Sequence, residues 1–184
     1  MFIFNDDNML LILLVSNERT EYDFVKNISD YPYNGRMFSG YLDVSNSQKK
    51  LHYLFVESEM NPKKDQIIIW LNGGPGCSSL FGWAQEHGPA ILEENDNKFN
   101  INPHSWHKIA NIMYLESPAD LGFSYIKSNK PEDFLTNDKI SGDENLEAIV
   151  SFFQKFPSLK KKRFVHCWRV VCRNLCSCFG HKNP

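Results

Sequence analysis

The 184 residues allow one modest domain. Apolar residues make up 42% and aromatic residues 14%, enough for a packed core. The formal net charge is -2, and charges of both signs are interspersed, so no broad basic surface exists for nucleic acid or an anionic membrane. No apolar run approaches the length of a membrane-spanning helix.

Residues 1–20 read as a leader. Met9 to Val15 has the character of a signal-peptide core, but it is short, and Asp6 and Asp7 stand where positive charge is expected. A weak secretion signal and an apolar segment of the fold both fit. Asn27-Ile28-Ser29 is the one N-glycosylation sequon and matters in a secretory compartment. Met37 to Val44 and Leu51 to Val56 predict two strands joined by the turn residues Ser45-Asn46-Ser47, an antiparallel hairpin. Gln66 to Leu71 carries Ile67-Ile68-Ile69-Trp70-Leu71, a continuous apolar run typical of a strand covered on both faces. Ser78 and Ser79 are candidate N-caps for a short helix reaching His87. Phe99 to Ile101, Ile109 to Leu115 and Leu121 to Tyr125 follow as extended segments. Leu146, Ile149, Val150 and Phe153 then recur at helical spacing over Asp143 to Phe156, and Pro157 ends that run. Strands alternating with helices predict an α/β sheet.

The segment Trp70-Leu71-Asn72-Gly73-Gly74-Pro75-Gly76-Cys77-Ser78-Ser79-Leu80 carries the chemistry. A buried strand delivers a glycine-rich turn, and a helix begins directly after it. Glycines let a ligand approach bare backbone N–H groups, and a helix start adds more of them with the positive end of its dipole. Such a corner suits an anion or a developing oxyanion.

These residues, together with Ser39-Gly40-Tyr41-Leu42, Glu86-His87-Gly88-Pro89, Asn102-Pro103-His104-Ser105-Trp106, Tyr114-Leu115-Glu116-Ser117-Pro118-Ala119, Gly122-Phe123-Ser124-Tyr125 and Phe152-Phe153-Gln154-Lys155-Phe156-Pro157, resemble the serine carboxypeptidase family of the α/β-hydrolase superfamily, most closely its cathepsin A branch. The resemblance spans about residues 22–160 and implies the N-terminal part of an α/β-hydrolase domain, a mixed sheet with flanking helices, over residues 21–163. It implies acyl transfer from peptide C-termini without a cofactor, in a lysosome, a vacuole or outside the cell. By position, the Gly74 N–H matches an oxyanion-hole donor. Asn72, the Gly73 N–H and Glu86 match the groups that hold the substrate carboxylate, and Trp70 matches a wall of that site. Glu86 can serve there when protonated, since two ionised carboxylates repel. Cys77 matches a disulfide cysteine whose partner lies far downstream, which would leave a free thiol or an artificial pairing here. Where Asp120 stands, the family commonly has glycine.

An α/β-hydrolase nucleophile sits in G-x-S-x-G, and the sequence contains no such pentapeptide. The resemblance places the orienting acid and the base later still, so His52, His87, His104 and His107 are expected to be ordinary surface or core histidines. The chain is therefore expected to be inactive as it stands and to end its sheet before the nucleophile strand, exposing an edge and apolar surface.

Residues 164–184 break with the preceding composition, with Cys167, Cys172, Cys176 and Cys178 crowded together. Read from the second base of each codon, His166 to Arg173 is compatible with Ile-Ala-Gly-Glu-Ser-Tyr-Ala-Gly, a serine elbow. Lys160-Lys161-Lys162 is a place where a base is easily gained or lost. An out-of-frame tail is the expectation. The alternatives are a non-catalytic fragment binding peptide C-terminal carboxylates, or a partner- or zinc-binding tail using these cysteines with His181. No C-x-x-C pair supports the zinc reading, and no metal site is expected elsewhere. No oligomeric state follows from the pattern.

Overall fold

The computed structural model describes residues 20–46, 48–74, 76–93 and 98–160 and the backbone of 164–169. The leader segment and most of the Cys-rich tail thus lie outside the described residues.

Strands β1 (Met37–Val44) and β2 (Lys49–Val56) form the expected antiparallel hairpin, in register from Met37 opposite Val56 to Val44 opposite Lys49. Strand β3 (Gln66–Asn72) follows. Strands β4 (Ala90–Glu93) and β5 (Lys98–Ile101) make a separate two-stranded ribbon. Strand β6 (Ala110–Leu115) inserts between β2 and β3, antiparallel to β2 and parallel to β3. The short β7 (Tyr125–Ile126) pairs with β2, where a longer extended segment was expected. Helix α1 spans Asp138–Lys155, and β8 (Phe164–Arg169) completes the sheet. The main order is β1-β2-β6-β3-β8.

The period-two alternation of strands sorts the core into two layers. Ile67, Ile69 and Leu71 of β3 join Met113, Leu115, Tyr53, Phe55, Phe152 and Phe156 on one face. Ile68 and Trp70 join Ile112, Tyr114, Leu54 and Tyr31 on the other, with Trp83 packed beside them. Both faces of β3 are covered, which is why its sequence is continuously apolar.

Helix α1 differs from the expected one in start and in rotation. It begins five residues earlier, at Asp138, because the Asn137 side chain accepts the Ile140 N–H at 2.9 Å. Its buried face is Glu144, Ala148 and Phe152, whereas Leu146 and Val150 are exposed. Phe152 is fully buried, stacked edge-on against Tyr53 and Phe55, a burial that contributes about 1.5–3 kcal/mol. Glu144 is drawn inward by Lys49, so an ion pair and one aromatic residue outweigh the more regular apolar stripe.

The sheet does not end at β3. Residues 164–169 run parallel to it, from Phe164 opposite Ile67 to Arg169 opposite Asn72. The open edge of an apolar central strand is a template for backbone pairing, and this segment occupies it.

Candidate functional site

Strand β3 delivers Asn72 at its last position, and the chain turns through Gly73, Gly74 and Gly76. Gly76 has φ of 94°, a conformation that side chains disfavour. A Cβ on Gly74 would stand 3.1 Å from the Cys77 sulfur and 3.3 Å from two backbone nitrogens, so a side chain there would press its neighbours aside.

Two serines lock this turn to the sheet. Ser79 Oγ accepts the Asn72 N–H at 3.1 Å and donates to the Leu115 carbonyl at 2.5 Å, tying the ends of β3 and β6 together. Ser78 donates to Glu116 and accepts the Leu80 N–H at 3.2 Å. The expected capping serines are thus committed mainly to the sheet. The helix that follows, a short π-helical turn over Gly82–Glu86, has no side-chain cap.

A cavity of about 300 Å³ opens against the turn. Asn72, Gly73, Gly74 and Gly76 form one wall, Ser117 and Pro118 a second, and Asp138, Ser141 and Asn145 of α1 a third. Of the residues singled out in the sequence, Asn72, Gly73 and Gly74 therefore line one space. Trp70 does not line it. Its Nε1 donates to Asn72 Oδ1 at 2.5 Å and so orients the amide, while its ring packs against His87 and Trp106. Glu86 is half-buried at the end of the π-helical turn and does not line the cavity either. Burial first, then the neighbouring Tyr31 and Glu86, push the Tyr114 phenol well above its ordinary range.

Cys77 is buried and disulfide-bonded. Of the two outcomes expected, a free thiol and an artificial pairing, the paired one is present. The partner of Cys77 lies outside the described side chains. Asn27 and Ser29 are both exposed, so the sequon is accessible. Asp120 is exposed with φ of 74°, the left-handed region that explains a glycine preference at this position.

The histidines divide by environment. His104 is exposed, and His87 and His107 are buried among aromatic rings. His52 is buried too, and its Nδ1 meets Glu116 Oε2 at 3.0 Å. Glu116 is completely buried directly after β6 and also accepts the Phe123 N–H at 2.9 Å. Burial alone would raise its carboxyl. The hydrogen bonds from His52, Ser78 and the Phe123 N–H outweigh that and hold it below the usual carboxylate range. This Glu116 network was not singled out in the sequence. The one signal was a charged residue directly after a largely apolar strand.

Among the described residues, no three His, Cys, Asp or Glu side chains are grouped to hold a metal ion. The tail cysteines proposed for zinc lie outside the described side chains. No helix among the described residues is long and apolar enough to cross a membrane.

A family model described as serine carboxypeptidase matches residues 28–166. The lysosomal protective protein of Mus musculus is 42% identical over 163 residues, covering 84% of this chain and 33% of that protein. Serine carboxypeptidase-like 20 of Arabidopsis thaliana is 36% identical over 162 residues, with 84% and 32% covered. This chain thus spans about a third of the length of these relatives. The crystal structure of a prohormone-processing carboxypeptidase from Saccharomyces cerevisiae superposes with a TM-score of 0.67 at 23% identity, over 81% of this chain and 35% of that one. That likeness shows the fold, a mixed α/β-hydrolase sheet with flanking helices.

Proposed function

Because this chain belongs to the serine carboxypeptidase family, we propose that its Asn72–Gly74 turn is the part of a carboxypeptidase site that receives the free carboxylate of a peptide C-terminus. The observation that carries this reading is the cavity against the turn, where the Asn72 amide is held by Trp70 and the strand end is held by Ser79. Glycine backbone N–H groups and an oriented amide are neutral donors. They suit a carboxylate without requiring a cation.

The roles follow from position and chemistry. The Asn72 amide and Gly73 N–H bind the carboxylate, and the Gly74 N–H faces the oxyanion that develops in acyl transfer. Trp70 positions Asn72. Glu86, which the family pattern assigns to the same carboxylate, does not line this cavity, and a lysosome, a vacuole or secretion is taken from the relatives alone. Peptides are the substrate class.

No G-x-S-x-G elbow occurs in the sequence, so the chain as it stands binds C-terminal carboxylates without cleaving peptides. Residues from about 164 onward read as out of frame, and a one-base shift is compatible with the elbow. The nucleotide sequence of codons 160–184 tests that directly. The genomic codons 166–173 must spell the motif in the neighbouring frame.

Binding is tested with an N-acylated dipeptide bearing a free carboxylate and with its C-terminal amide, titrated into the full chain at acidic pH by NMR. The acid should perturb Asn72–Gly74 and the amide should not. Equal binding of both overturns the carboxylate assignment. Release of the C-terminal amino acid overturns the inactive reading.

A further inference from the structure

Away from the glycine turn, the hairpin β1–β2 brings a second group of functional side chains together. Ser39 Oγ lies 2.9 Å from His52 Nε2, and His52 Nδ1 lies 3.0 Å from Glu116 Oε2. Nucleophile, base and orienting acid thus stand in sequence at hydrogen-bond distance, the geometric signature of an activated nucleophile.

The protonation states follow from the surroundings. Glu116 is fully buried and accepts from Ser78, the Phe123 N–H and His52. A carboxylate accepts and does not donate, so the proton of a neutral His52 sits on Nδ1. Nε2 is then left to accept, and its partner is the Ser39 hydroxyl. The His52 ring is also held in place by Tyr41 and Phe123, whose centroids lie 5.6 and 5.2 Å away.

Ser39 and His52 line a cavity of about 390 Å³, a volume within the usual range for small-molecule sites. Ile28, Leu80, Trp83 and Phe123 supply an apolar wall that suits a short acyl or aryl group.

We propose that Ser39 is a nucleophilic site, activated by His52 and oriented through Glu116, that takes an activated acyl or phosphonyl group on its Oγ. The step balances without a co-reactant. Ser39 Oγ forms a bond to the carbonyl carbon or phosphorus, and its proton passes to His52 Nε2. The bond to the leaving group breaks, and His52 returns the proton to that group. In this scheme Glu116 is a positioning residue, since it touches neither the reagent nor the reacting atoms.

The test is labelling of the full chain with a fluorophosphonate probe, followed by peptide mass mapping. The expected result is one phosphonyl adduct per chain on the peptide holding Ser39, with fluoride released. Ser39→Ala should abolish the adduct, and His52→Gln should slow labelling by about 100-fold or more, in line with loss of a general base. Glu116→Gln should slow labelling while Ser39 stays labelled slowly at the same position. Mapping on the unaltered chain needs no variant to fold. No adduct, or an adduct on another serine, overturns the proposal, as does unchanged labelling in a folded His52→Gln chain.

Discussion

The Lys49 ammonium lies 2.7 Å from Glu144 Oε1, and both side chains are almost wholly buried, at 8% and 4% exposure. This pair ties α1 to the start of β2. The Ser45 hydroxyl reinforces it at 3.0 Å, and the Ser45 N–H reaches Glu147 at 2.7 Å. Removing one member leaves the other charge stranded. Glu144→Ala should therefore cost about 3–5 kcal/mol of folding stability, read by urea denaturation. Replacing both members with apolar residues of similar size should cost much less, because no unpaired charge remains.

The left-handed backbone at Asp120 makes a gain available. Its φ of 74° strains a residue with a Cβ and suits glycine. The Asp120 side chain is exposed, so little contact is lost on its removal. Asp120→Gly should stabilise the fold by about 1 kcal/mol, within the cost of a non-glycine residue in that region. Thermal melting of the two chains side by side checks the sign.

Ser79 should link stability to binding. Its hydroxyl is buried and serves both the Asn72 N–H and the Leu115 carbonyl. Ser79→Ala leaves both groups without this partner and should cost about 1–3 kcal/mol. It should also weaken binding of the N-acylated dipeptide, because the turn that presents Gly73 and Gly74 loses its anchor to β6. Calorimetric titration against the unaltered chain reads that effect.

Acid should destabilise the described fold. Burial, aided by repulsion from His87, outweighs the Val56 carbonyl and pushes the His107 imidazole down to about 3. An unfolded His takes up a proton near pH 6.5. Between there and about 3, the unfolded chain binds a proton that folded His107 refuses. Stability from this group is present above about 6.5 and falls by up to about 1.4 kcal/mol per pH unit below it. Glu116 adds to the loss at the acid end. Its folded carboxyl sits below the usual range, so its contribution is present above the unfolded carboxylate pKa and disappears as pH falls through the folded one. His107→Gln keeps a polar partner for the Tyr114 hydroxyl, 3.0 Å from His107 Nε2, and removes the titration. Urea midpoints at pH 7 and pH 5 should therefore differ less in His107→Gln than in the unaltered chain.

The sequence by itself determined the hairpin, the apolar β3 and the glycine turn. Each is local: alternation, a β-branched run and residues that cannot continue a strand. It also named Asn72, Gly73 and Gly74, which do line one cavity. Tertiary structure decided the rest, because pairing across distance carries no local signal. The face of α1 that turns inward is chosen by Lys49, 95 residues from Glu144 in the chain. The ribbon strand Ala90–Glu93 forms against β5. Residues 164–169 form a strand by pairing in parallel with β3. Ser39, His52 and Glu116 meet because the hairpin register and the insertion of β6 beside β2 place them together, and a buried carboxylate must find donors wherever the fold supplies them.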